Sequence, residues 1–331
     1  MTERIEYDEF SYFQDNASEY GIPYDGPPVV RRRGVDLGDG RSLSALVWGD
    51  EPPRLVFLHG GAQNAHTWDT VALALGVPMV AIDLPGHGHS DGPAHAATDP
   101  MGLAADVVIA IRELAPDADA VVGMSLGGLT TIAVSHLAPE LVRSMVLVDV
   151  TPGVNREKGK AIAAFVNGPK TFPSFEELLA RTIEHNPTRT ESSLRRGILH
   201  NAVQLDDGSW MWRYRRFDDG PGSSPVPGEP ATTDASEATG TTDTSEAAGG
   251  PGAQEPFERF GPLWDALAAF DGPSLLVRGM RPQSVVADED EDRFLELAAD
   301  PTVARIDEAG HSVQGDTPVE LAELIREFVG L

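Results

Sequence analysis

The sequence predicts an α/β protein: a mostly parallel sheet flanked by helices, with a helical cap inserted between two strands. Three observations carry that expectation. Short apolar runs alternate with longer helical patterns. The middle runs, LVFLH, MVAID, AVVGM and MVLVD, stay apolar throughout, as strands buried on both faces do. One stretch then breaks the alternation with three helix-like patterns in succession.

Each element follows from these patterns. Predicted strands are Leu43–Trp48, Arg54–Leu58, Pro78–Ile82, Ala120–Gly123, Ser144–Val150, Ser274–Arg278 and Val303–Ile306. Between them, apolar residues at helical spacing predict helices over Thr67–Leu75, Met101–Leu114, Leu126–Leu137, Glu289–Ala298 and Pro318–Val329. Four parts result: an N-terminal arm (1–28), a core in two pieces (29–150 and 257–331), a cap (151–217) and an insertion (218–256). The insertion reads DDGPGSSPVPGEPATTDASEATGTTDTSEAAGGPGAQEP, with eight carboxylates, no basic residue and no aromatic. Such a stretch buries too little apolar surface to offset ordering entropy, so disorder is expected there.

Composition excludes several function classes. With no cysteine among 331 residues, disulfides, thiol catalysis and zinc–thiolate sites are ruled out. A formal net charge of −27, with only three lysines, disfavours nucleic acid and anionic membrane as partners. No apolar run has membrane-spanning length, and the acidic, aromatic N-terminus lacks a signal-peptide layout. A cytoplasmic protein acting on a small molecule is the expectation, with its oligomeric state left open.

In an open parallel sheet, ligands bind beyond the carboxyl ends of the strands, so chemistry is sought just after each strand. After Ala120–Val122 comes Gly123-Met124-Ser125-Leu126-Gly127, a G-x-S-x-G turn opening a helix. Such a turn lifts a serine hydroxyl above the sheet edge, beside the unpaired N–H groups of a helix start. After Leu58 comes His59-Gly60-Gly61-Ala62, a backbone able to approach a ligand closely. His59 itself is expected to bond within its turn. Asp83-Leu84-Pro85-Gly86-His87-Gly88-His89-Ser90 reads as an ordered loop, because no second ligand group would close a metal site there. Near the C-terminus, Ala309-Gly310-His311-Ser312 places a histidine on a small-residue loop before the last helix, positioned to serve as a general base. His66, His95, His136, His185 and His200 carry no motif.

Together, H-G-G, D-L-P-G-H-G-H-S, G-M-S-L-G-G and A-G-H resemble the α/β-hydrolase superfamily over roughly residues 33–331, the insertion excepted. The resemblance implies a mostly parallel α/β-hydrolase sheet, Ser125 as nucleophile, His311 as base, and the N–H groups of Leu126 and Gly61 as oxyanion hole. It also implies a cap over the site and no cofactor or metal. A serine at the nucleophile position argues against epoxide hydrolases and haloalkane dehalogenases, which use aspartate there.

The sequence departs from the family pattern at the acid. After Ser274–Arg278 it reads GMRPQSVV, without a carboxylate. Asp149, ending MVLVD, is the first candidate; Asp288 or Asp290 is the alternative, although acids at a helix start are expected on dipole grounds alone. The function expected is hydrolysis of a small to medium, mainly uncharged carboxylic ester through an acyl-enzyme. Thioester, amide or C–C cleavage, cofactor-free haloperoxidase or perhydrolase activity, and a non-enzymatic ligand receptor or scaffold are the alternatives.

Overall fold

The computed structural model describes residues 4–92, 99–153, 156–216 and 260–331. The acidic insertion and His95 lie outside these residues. In the core, the strands are β1 (Val30–Asp36), β2 (Ser42–Trp48), β3 (Leu55–Leu58), β4 (Met79–Ile82), β5 (Ala120–Met124) and β6 (Met145–Val148). Core helices are α1 (Phe13–Glu19), α2 (Asp69–Leu75), α3 (Pro100–Leu114) and α4 (Leu126–Leu137).

The cap follows β6. It contains α5 (Arg156–Val166), β7 (Thr171–Phe172), α6 (Phe175–His185), α7 (Glu191–Asn201), β8 (Ala202–Gln204) and β9 (Trp210–Trp212). The core resumes with α8 (Leu263–Ala268), β10 (Pro273–Gly279), α9 (Asp288–Leu297), β11 (Asp300–Ile306), α10 (Val313–Asp316) and α11 (Pro318–Val329).

Eight strands form one sheet in the order β1-β2-β4-β3-β5-β6-β10-β11. Pairing from β4 to β11 is parallel, and β2 is antiparallel to both β1 and β4. The continuous apolar runs now have their physical reason. In β3, Val56 and Leu58 enter the layer under α3, α4 and α8, while Leu55 and Phe57 enter the layer under α1, α2 and α11. Both faces are covered, so no position can be polar cheaply.

Three features differ from the sequence expectation. The run Val30–Asp36 forms an edge strand, although its VRRRGVD composition is largely polar; it alternates exposed and inward positions, with Val35 fully buried. The N-terminal arm folds: Phe13 of α1 is buried against Trp48, ring centroids 5.0 Å apart. The cap is mixed rather than helical, because its aromatic stretch is a strand. Trp210, Trp212 and Tyr214 recur with period two and face the cap's own apolar cluster, and β9 pairs with β7 and β8 in an antiparallel sheet.

Candidate active site

Ser125, Asp149 and His311 of the candidate site each stand beyond a strand's carboxyl end. Ser125 lies between β5 and α4 with φ 50° and ψ −119°, a strained backbone for an L-residue. Sequence makes the turn possible at Gly127: a Cβ there would sit 2.2 Å from the Leu58 carbonyl oxygen, so α4 can cross β3 this closely only without one. Leu126, the first residue of α4, has no carbonyl four residues earlier in the helix to take its N–H. Gly61 and Ala62, after β3, line the same cavity as Ser125, and the Gly60 N–H is held by Gln63 Oε1 at 3.1 Å.

Asp149 follows β6 and is fully buried, with φ 46°. Its N–H extends the sheet ladder to the Val277 carbonyl at 2.7 Å. Oδ1 accepts from the Gly279 N–H (3.0 Å) and Ser284 hydroxyl (2.6 Å). Oδ2 accepts from the Val285 N–H at 3.0 Å and lies 2.9 Å from His311 Nδ1. These donors compensate the burial of a carboxylate and fix its direction. The segment lacking an acid after β10 therefore supplies N–H and O–H donors to the acid that follows β6.

His311 follows β11 on the loop before α10. Its Nε2 lies 3.1 Å from Ser125 Oγ, so a carboxylate, an imidazole and a hydroxyl form one hydrogen-bonded line. The loop comes this close because Gly279 has no side chain: a Cβ there would lie 2.2 Å from the Gly310 carbonyl oxygen. Among the described residues, the three non-glycine residues with positive φ are Ala62, Ser125 and Asp149, all at this site.

The alternative acids, Asp288 and Asp290, lie outside that line. Asp288 is exposed and pairs with Arg278 at 2.7 Å, and the Asp290 carboxylate packs against Gly153. Both are first-turn residues of α9, where a negative charge faces the helix dipole. His59 is buried within its own turn: Nε2 accepts the Leu84 N–H at 2.9 Å, and Nδ1 donates to the Gly60 carbonyl at 2.7 Å. In the Asp83–Ser90 loop, Asp83 accepts from Ala65 N–H, His89 N–H and Arg32, and burial pushes the neighbouring His87 down to about 3, leaving it neutral.

The cavity in front of Ser125 has a volume of about 420 Å³. Phe165, Ile162, Trp212 and Tyr214 of the cap form one wall, and Gln63, Gln314 and Asn201 contribute amides. Sequence reasoning missed these amides. Asn201 Nδ2 reaches the Ala62 carbonyl at 2.6 Å, a contact across 139 residues that no local pattern signals.

Among the described residues, one group has donor atoms close enough to share a metal ion: His66, Asp69 and His200. His66 Nδ1 is 2.9 Å from Asp69 Oδ2, and the two imidazole rings stack 3.9 Å apart. Burial opposes charge on His66, yet the Asp69 and Glu9 carboxylates outweigh it and push its pKa up to about 9. The Arg32 guanidinium, with Nη2 3.3 Å from Nε2, opposes that charge, and the carboxylates of Glu9 and Asp69 outweigh it, tying the arm to the core through His66.

Relatives agree with this architecture. Residues 55–324 match the family model described as "Alpha/beta hydrolase family". The esterase Rv0045c of Mycobacterium tuberculosis is 39% identical over 327 residues, covering 96% of this chain and 95% of that one. A crystal structure of that esterase superposes with a TM-score of 0.76 at 37% identity, covering 99% of this chain and all of the other. The structure of E-2-(acetamidomethylene)succinate hydrolase, 21% identical, shares the fold with a TM-score of 0.69 over 92% of this chain and all of that one. With the elbow serine, the sheet order and a match spanning most of its length, the chain belongs to the α/β hydrolase family.

Proposed function

We propose that the protein is a cofactor-independent carboxylic ester hydrolase working through an acyl-enzyme on Ser125. The observation that carries this reading is the line Ser125 Oγ–His311 Nε2–His311 Nδ1–Asp149 Oδ2, with contacts of 3.1 and 2.9 Å. His311 Nε2 takes the hydroxyl proton as Ser125 Oγ bonds to the ester carbonyl carbon. The same proton then goes to the departing alcohol. Water repeats the sequence on the acyl-enzyme, releasing the acid and restoring the serine. Asp149 holds the tautomer with hydrogen on Nδ1 and stabilises the imidazolium that forms.

The N–H groups of Leu126 and Gly61 are assigned to the oxyanion, each such donor being worth about 2.7–4 kcal/mol of barrier. The aromatic cap wall suits a small to medium acyl group with an apolar body. The esterase relative, similar along nearly the whole chain, supports an ester as the substrate.

Changing Ser125 to Ala removes one hydroxyl and leaves the elbow's backbone intact. Hydrolysis of p-nitrophenyl butyrate is expected to fall by at least about 10⁴-fold at unchanged melting temperature. Labelling of the wild type by a fluorophosphonate should disappear in the same variant. Retention of activity within tenfold, or of labelling, overturns the reading.

A further inference from the structure

Two arginines of the cap, Arg189 and Arg196, line the cavity, and of the two only Arg196 makes an ion pair with a described residue. Arg196, on α7, pairs with Glu19 of the arm and donates to Asn16 Oδ1 (2.7 Å) and Ser192 Oγ (2.6 Å). Arg189, in the turn between α6 and α7, has no carboxylate of a described residue within ion-pairing distance. Its Nη2 donates to the Ser193 hydroxyl, while its Nε is shut from solvent with no acceptor. Asp316, the nearest acid in sequence to the cavity floor, spends its oxygens on the Gly310 N–H and the Thr188 hydroxyl, both at 2.8 Å. Glu19 is taken by Arg196 and Thr190.

The guanidinium lies against Gly315, where a Cβ would come within 2.9–3.0 Å of Cζ, Nε and Nη1. Gly315 is one helical turn beyond His311, and Arg189, Gly315, His311 and Ser125 all line the same cavity. Arg189 is half-buried with no direct ion pair; desolvation holds its pKa down, although the charges of Asp316 and Glu19 act on it from beyond ion-pairing distance. A ligand carboxylate entering the cavity would meet a guanidinium whose Nη2 already donates to Ser193 and whose Nε is shut from solvent, so pairing runs through its remaining N–H groups.

Resting on the ester-hydrolase reading, we propose that Arg189 is a substrate-binding residue that selects esters carrying one carboxylate a few carbons from the scissile carbonyl. The apolar body of the substrate lies along the aromatic wall, and the carboxylate completes the charge of Arg189.

Two matched pairs test this and separate the side of the ester that bears the charge. Monomethyl glutarate against methyl pentanoate places the carboxylate on the acyl side; 4-acetoxybutanoate against butyl acetate places it on the alcohol side. Hydrolysis is followed by proton release with the full chain. In at least one pair, kcat/KM for the anion is expected to exceed that of its neutral partner by at least about tenfold, the scale of one charge-assisted contact. Arg189→Gln should collapse that ratio to near one, and Arg189→Lys should restore part of it. Equal rates within both pairs in the wild type overturn the proposal, as does a preference that Arg189→Gln leaves intact. Neither result touches the esterase reading, which fails only if no ester of either kind is hydrolysed.

Discussion

The sheet edge that carries Ser125, Asp149 and His311 and the arm-and-cap layer above it are built by different means. At the edge, direction comes from backbone. Ser125, Asp149 and His311 each follow a strand, and Asp149 takes three of its contacts from Gly279, Ser284 and Val285 in one short segment. In the upper layer, direction comes from long side chains. The arm is held to the core by Arg32–Glu9 and Glu9–His66, and it reaches the cap through Tyr7–His200 and Arg196–Glu19. A backbone-held group loses little entropy when it is used, whereas side-chain clasps can be remade. On the reading proposed above, the chemistry would sit on the backbone-held layer and selectivity on the side-chain-held one.

The sharpest way to break this contrast is at the acid. In Asp149→Asn the amide favours the wrong imidazole tautomer, and kcat should fall by about 10³–10⁴-fold. Asp288→Asn, which only releases Arg278, should stay within about twofold. A severe loss in the second variant and a mild one in the first would move the acid to α9 and leave the nucleophile unaffected. Melting curves must accompany both, because Asp149 also ties down the Gly279–Val285 segment.

Next in size is the close crossing of α4 over β3. Gly127→Ala forces a methyl group toward backbone atoms that cannot swing away, the nearest 2.2 Å from the new Cβ. Overpacking of this kind costs about 1–3 kcal/mol or more, so a melting-point loss of at least about 2 °C is expected, together with a fall in kcat. A variant as stable as the wild type would mean the elbow tolerates displacement and is not the rigid partner in the comparison.

That same division explains what could be read from the chain before its structure. Core strands buried on both faces write themselves as apolar runs, and a strained elbow between strand and helix needs small residues at fixed spacing, so Gly123-Met124-Ser125-Leu126-Gly127 is visible locally. Asp149 was legible only as a candidate, because its partners are 130 to 162 residues away. The cap was harder. W-M-W-R-Y carries the two-residue period of a strand, but the three helical patterns before it mask that signal. Arg189, Gln63, Gln314 and Asn201 belong to no motif; their roles exist only through long-range contacts. The edge strand Val30–Asp36 was hidden by its arginines, one of which, Arg32, turns inward to Glu9 and Asp83.

Gln63 tests the seam between the layers. Its Oε1 holds the Gly60 N–H at 3.1 Å and accepts from Gln314 Nε2 at 3.4 Å, joining the oxyanion turn to α10. Gln63→Ala frees that turn without touching the nucleophile. A fall of roughly 3–30-fold in kcat with little change in KM is expected, a fraction of what losing an oxyanion donor costs. A rise in KM at constant kcat would make Gln63 a substrate contact instead.

The smallest effect belongs to the clasp on the arm, and it is read through pH. Burial would raise the Glu9 carboxyl, but hydrogen bonds from His66 and Arg32 outweigh it and hold its pKa near 2, below the ordinary 4.5. A depressed acid contributes stability above pH 4.5 and loses it as pH falls toward 2. His66, lifted from 6.5 to about 9, contributes in full below pH 6.5 and loses its share as pH rises through 9. The clasp is therefore strongest between about pH 4.5 and 6.5. Glu9→Gln removes the acid limb and weakens the alkaline one, since Asp69 still faces His66 at 2.9 Å. Near pH 6 its melting point should drop by about 1–2 °C, the shift that about 1 kcal/mol makes in a chain of this size. The gap to wild type should narrow as pH falls below 4.5, where the wild-type contribution fades. A gap that stays constant from pH 6 to pH 3 would show that Glu9 acts by packing alone, and the arm would then join the rigid layer.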